Sequence, residues 1–228
     1  MLVVVASRHD AGARRLVDGW PAAAGLLSCE DLSTAGWRYR VGDPAGGTAV
    51  VDGRVVPVRE IQGVLTRRPA VLEQELAYVA APDRAYVAAE TNAFLDAWLA
   101  ALACPVLSRP TPLCLSGPGW RPEQWVRAAA AVGIPVRPRR RRAPAGENGV
   151  AAEDAGEPVD VTVVGGELVG GVGGRLGRWT RRLAAVAGVE LLGVRFVRGE
   201  EGPRFGAATV WPDLEAPVVH AIEAYFLE

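Results

Sequence analysis

Residues 137–158 divide the chain into two stretches with different apolar rhythms, and that division constrains the fold most. The segment opens with Arg137-Pro138-Arg139-Arg140-Arg141-Arg142, passes through Ala143-Pro144-Ala145-Gly146, and turns acidic at Glu153, Asp154 and Glu157. Its composition is that of a flexible linker. Ahead of it, short apolar runs alternate with helical patterns, which favours a parallel α/β layer. Behind it, the order is hairpin, helix, hairpin, helix, which favours antiparallel strands. The expected organisation is an α/β domain over 1–136, a linker over 137–158 and an α+β domain over 159–228.

In the first stretch, Leu2-Val3-Val4-Val5-Ala6 reads as a buried strand. Residues 11–19 and 21–27 read as short helices, and Trp37–Val41 as a strand with one wet face. Asp52-Gly53 between β-branched pairs marks a hairpin. Residues 61–66 form another strand and 71–80 a short helix. Asp83 is placed to cap a long helix over 84–103, with Val87, Phe94, Leu95, Trp98, Leu99 and Leu102 at three-to-four spacing. Glu90 falls between Val87 and Phe94. A carboxylate there is expected to pair with Arg67 or Arg68, because burying it alone is costly. Pro105–Leu107 is a strand, and Pro122 opens a helix that Gly133 ends.

In the second stretch, 159–164 and 167–169 form a hairpin around Gly165-Gly166. A helix over 177–187 stops at Gly188. Strands over 190–197 and 204–210 follow, and a final helix covers 216–227.

These residues resemble a known family. Val64-Leu65-Thr66-Arg67-Arg68-Pro69 resembles the strand-Arg-Arg-Pro signature of the pre-ATP-grasp domain in RimK-like ligases, those of the microviridin type above all. The helix bearing Glu90, then Val106–Pro110, is similar to that family's helix and following strand. Trp120–Val136 is similar to its next helix. Leu183–Val197 resembles the ATP-grasp helix and strand, and Phe205–Pro212 the strand after it. The implied fold is a pre-ATP-grasp-like parallel α/β domain followed by a truncated ATP-grasp-like lobe with antiparallel strands.

The resemblance also shows departures. The family's magnesium ligands align with Arg195, Ala207 and Thr209. Magnesium needs hard oxygen ligands, which arginine and alanine lack. The family's phosphate-binding lysines have no counterpart, since all 25 basic residues are arginine. Its central ATP-binding lobe would fall where the linker stands. The implied protein is therefore a degenerate ATP-grasp-like chain with no metal and no cofactor. It would bind a peptide or protein partner, an active ligase or other modifying enzyme among them. An ATP-dependent carboxylate–amine ligase, using ATP and magnesium through a rebuilt or partner-completed site, is the alternative. Arg67, Arg68, Glu90 and Arg109, with His9, are the candidate partner-binding residues.

His9 carries a third reading, an unrelated small-molecule enzyme, because it follows the first strand at the end where α/β sites occur. His220 reads as a surface residue. The glycines from Gly165 to Gly177 satisfy neither a dinucleotide fingerprint nor a P-loop. With Arg175 and Arg178 they could form an anion nest. Trp98 and Trp125 read as core. Trp20, Trp120, Trp179 and Trp211 border turns, which favours partner contact.

Formal net charge is −1, and the arginine run lacks interleaved aromatics, so nucleic acid is disfavoured as a partner. Cys29, Cys104 and Cys114 are too widely spaced for a zinc site and fit a reducing cytoplasm. No apolar run is long enough for a membrane helix.

Overall fold

The computed structural model describes residues 1–137, 156–169 and 173–227. The Arg139–Arg142 run, Glu153, Asp154 and Gly170–Val172 lie outside the described residues, as does most of the expected linker. Two compact units are present: Met1–Gly119 with Asp213–Glu228, and Trp120–Pro212.

The first unit is built on a parallel sheet. Its elements are β1 (Leu2–Val5), α1 (Ala11–Gly19), β2 (Ala24–Leu27), α2 (Cys29–Leu32), β3 (Thr48–Val51), β4 (Arg54–Pro57), β5 (Gly63–Thr66), α3 (Arg84–Ala101) and β6 (Val106–Leu107). The sheet order is β2-β1-β5-β6. Val3 sits opposite Gly25 on one side and Val64 on the other. All of β1 is buried, as its unbroken apolar run requires. The Asp52-Gly53 hairpin forms with both residues at positive φ, 49° and 69°. That is the geometry its two-residue turn favours.

Three local expectations change. Residues 24–27 are a strand rather than a helix, because β1 offers its edge and takes up the backbone of Ala24–Leu27. Residues 71–80 hold only a 3₁₀ turn, Glu73–Glu75. Tertiary bonds win there: the Asn92 side chain accepts from the Val71 amide at 2.8 Å and donates to the Val71 carbonyl at 3.0 Å. Trp37–Val41 is not a strand; Arg38 alone bridges to Thr48, while Trp37 turns inward onto Phe94 and Trp98. Asp83 precedes α3 as expected but makes no side-chain cap bond.

The second unit contains α4 (Pro122–Ala131), β7 (Glu157–Val164), β8 (Glu167–Val169), α5 (Gly174–Ala187), β9 (Leu191–Gly199) and β10 (Gly202–Thr209). The sheet is antiparallel, in the order β10-β9-β7-β8. Val161, Val163, Leu192, Val194, Phe196 and Phe205 turn to a core shared with Trp125, Ala129 and Leu183. Asp160, Arg195, Ala207 and Thr209 are exposed, as strand alternation dictates. Gly188, at φ 66°, ends α5 in the left-handed region.

The last helix, α6 (Ala216–Leu227), belongs to the first unit, where Phe226 packs on Gly63 and Trp20. The unit boundaries thus differ from 1–136 and 159–228. α4 shares the second core through Trp125 and Ala129, and the chain returns to the first unit at Asp213.

Trp98 and Trp125 are core residues, at 1% and 6% exposure. The turn-bordering tryptophans are packed as well. Trp20 lies against Phe226, Trp120 against Trp125, and Trp179 on Phe196, while Trp211 flanks the second core.

Candidate functional site

The carboxyl end of the parallel sheet carries most of the expected site residues, and its charges are satisfied from within. β1 ends at the Ser7-Arg8-His9-Asp10 turn. Asp10 caps α1 by accepting the Ala13 amide at 2.9 Å. The same carboxylate receives Arg67 Nε at 3.0 Å from the end of β5. Burial opposes its ionisation, but the Ala13 amide and the Arg67 guanidinium prevail and hold the carboxyl below its usual value.

Arg68 points to the opposite face, as alternation requires. It is buried at 4% exposure. Its guanidinium pairs with Glu75, donates to Cys29 Sγ at 3.0 Å and to the Ala70 carbonyl at 3.1 Å. Burial pushes the Cys29 thiol up to about 11, with Arg68 opposing, so this cysteine is a poor nucleophile.

Glu90 takes no part. It is exposed on α3, whose buried residues are Ala88, Leu95, Trp98 and Leu99. Val87 and Phe94 mark the edge of that buried face, so a residue between them falls outside it. The expected Glu90–arginine pair is replaced by Arg67–Asp10 and Arg68–Glu75. Arg109 does not join the other arginines either. It donates to the carbonyls of Leu99, Leu102 and Cys104 and so closes the C-terminal end of α3. The three arginines therefore line no common cleft.

His9 is exposed, and its ring meets Arg8 Nε at 3.2 Å. Its backbone amide, not its ring, reaches Ser7 Oγ, at 3.3 Å. No nucleophile–base–acid relay exists at this turn. His220 is on the surface, 3.7 Å from Glu223. Asp10 and Glu75 are the partners that sequence reasoning missed. Asp10 had a signal, an aspartate directly ahead of a helix start.

The second candidate region is the exposed face of the antiparallel sheet. Asp160 and Ala207 flank Arg195 in register. Arg195 Nε and Nη2 donate to the two Asp160 carboxylate oxygens at 2.8 and 2.9 Å. This two-pronged ion pair fills the position. Ala207 offers no oxygen, and the Thr209 hydroxyl accepts the Trp211 amide at 3.1 Å. This donor set does not fit a magnesium ion. Among the described residues, no group of three His, Cys, Asp or Glu is arranged to hold a metal.

A parallel sheet with its α3 helix and an antiparallel four-stranded sheet with α4 and α5 together make the fold of the RimK-like, microviridin-type ATP-grasp proteins. Among solved structures, the macrocyclase MdnC of Microcystis aeruginosa, bound with precursor peptide MdnA, is similar at a TM-score of 0.71 and 11% identity, covering 100% of this chain and 99% of that one. The ATP-grasp ligase PsnB, with a phosphomimetic variant of its minimal precursor, magnesium and ADP, gives 0.69 and 14%, over 99% and 96% of the two chains. A RiPP-associated ATP-grasp ligase of Chryseobacterium gregarium, with ADP and a leader and core peptide, gives 0.66 and 9%, over 99% and 96%. No protein-family model and no curated protein matches the chain.

Proposed function

We propose that this chain is a non-catalytic ATP-grasp-like protein that binds a peptide and serves as an accessory subunit of a peptide-modifying system in the cytoplasm. The observation that carries this reading is the Arg195–Asp160 pair. Where the resemblance puts a magnesium ligand, the chain has a cation already neutralised by its neighbour. Ala207 and Thr209 supply no carboxylate beside it. A chain without lysine also lacks the point charge that ATP-grasp proteins of this kind set on phosphate. The solved neighbours include complexes with precursor peptides, which supports a peptide as the partner.

The alternative is a ligase whose site is completed by a partner chain; the neighbours being ligases favours it. ATP turnover separates the two. With a purified companion ATP-grasp ligase and its precursor peptide in the assay, turnover should come from that ligase alone, and this chain should change only its peptide affinity. Turnover that survives inactivation of the companion ligase would overturn the non-catalytic reading.

A further inference from the structure

α5 buries Leu176, Gly177, Thr180, Leu183 and Ala184 on its inner face. Its outer face is open to solvent and carries Arg175, Arg178, Arg181 and Arg182. At about 100° per residue these four fall within an arc of about 120°, with Arg178 and Arg182 near its middle. The helix holds no Asp, Glu or Lys, so its positive charges share one side in a chain of net charge −1.

This arrangement works against the helix itself. An exposed helix gains from opposite charges three or four residues apart and loses from like ones. Arg178 stands at that spacing from Arg175, Arg181 and Arg182, and every pair is alike in sign. Arg175 also lies in the first turn, at the positive end of the helix dipole, with no acidic residue there. Internal partners relieve little of this. Arg175 lies 5.7 Å over the Trp179 ring, and Arg181 donates to the Gly166 carbonyl at 2.6 Å, with Glu167 4.0 Å away. Arg178 and Arg182 have neither a hydrogen bond nor an ion pair among the described residues. α4, packed beside α5, adds the exposed Arg127. A face that repels itself is stabilised when an external anion covers it.

Shape and composition select the anion. Arginines spread over the outside of a helix layer suit a planar surface better than the curved backbone of a duplex. Trp179, stacked on Phe196 and covered by Arg175, offers no platform for a nucleic-acid base. A protein interface is built round an apolar or aromatic centre. Among the described residues of α5, Val186, at 54%, is the one large apolar side chain exposed. An anionic bilayer needs no such centre, because clustered arginines near its headgroups are attracted directly. That attraction acts within about a Debye length, so the local cluster outweighs the charge of the whole chain.

We propose that the outer face of α5, with Arg127 of α4, docks the protein peripherally on an anionic phospholipid surface, its guanidinium groups on the headgroup phosphates. This goes beyond the peptide-binding reading and does not depend on it. Co-sedimentation of the full chain with vesicles tests it. Vesicles of phosphatidylglycerol mixed into phosphatidylcholine should carry the protein down, phosphatidylcholine alone should not, and molar salt should release it. Arg178→Gln and Arg182→Gln should each lower partitioning about fivefold, and the double variant about 25-fold. Their melting temperatures should stay unchanged or rise, since a like-charge pair is lost.

Equal sedimentation with both kinds of vesicle would overturn the proposal. So would full binding by the double variant, since another part of the chain would then hold the lipid. A short DNA duplex and poly-glutamate are the competing polyanions, and neither should displace the protein at equal charge concentration. Displacement by the duplex would reassign the face to nucleic acid, and displacement by poly-glutamate to an acidic protein. No sedimentation of the wild-type protein overturns the docking and leaves the peptide-binding reading standing.

Discussion

Arg67 and Asp10 tie the end of β5 to the start of α1, with Arg67 Nε 3.0 Å from Asp10 Oδ2. The pair lies between β1 and β5, where the strand order reverses direction and α/β proteins commonly hold ligands. Here that place is occupied by a structural ion pair.

Removing the Asp10 carboxylate should therefore cost stability. Asp10→Ala loses the helix cap and the bond to Arg67 Nε, a loss of about 1–2 kcal/mol. The carboxyl titrates below its usual value in the folded protein. Its contribution is complete above about pH 4 and is lost as pH falls through the lowered folded value. Melting temperatures of wild type and Asp10→Ala should converge on acidification. A gap that stays constant to low pH would contradict the assignment.

Arg68 and Glu90 should respond in opposite ways. Arg68 is buried against Glu75 and Cys29, so Arg68→Ala should destabilise by about 3–5 kcal/mol in a urea melt. Glu90→Ala removes an exposed carboxylate and should leave the midpoint unchanged. A large loss in the second variant would restore the pairing expected from sequence.

The placement of α6 is tested at Gly63. A Cβ there would run into the Phe226 ring. Gly63→Ala should cost about 1–3 kcal/mol, and Phe226→Leu in the same chain should recover part of it. Additive losses would separate the two residues.

Much of this fold was legible in sequence where a pattern had one physical meaning. The β-branched run of β1, the Asp52-Gly53 turn and Gly188 at the end of α5 each formed as read. β2 was hidden because Ala24-Gly25-Leu26-Leu27 has no β-branched residue and is a strand only beside β1. The 71–80 segment has helical composition but is held by Asn92, a residue about 20 positions on. Site residues were legible by type and not by partner. Alternation correctly separated Arg67 from Arg68, but their carboxylates, Asp10 and Glu75, come from other elements. Glu90 was misplaced because Val87 and Phe94 lie at the margin of the buried face. Arg195 and Asp160, 35 residues apart, meet only through the β7–β9 register.

The central claim is that the exposed face bearing Arg195, Ala207 and Thr209 has no magnesium–nucleotide chemistry. Isothermal titration of the purified protein with ATP, with and without magnesium, tests it most directly. The account predicts no magnesium-dependent heat of binding and no ADP formed in the cell. A saturable, magnesium-dependent isotherm that Arg195→Ala alters would contradict it.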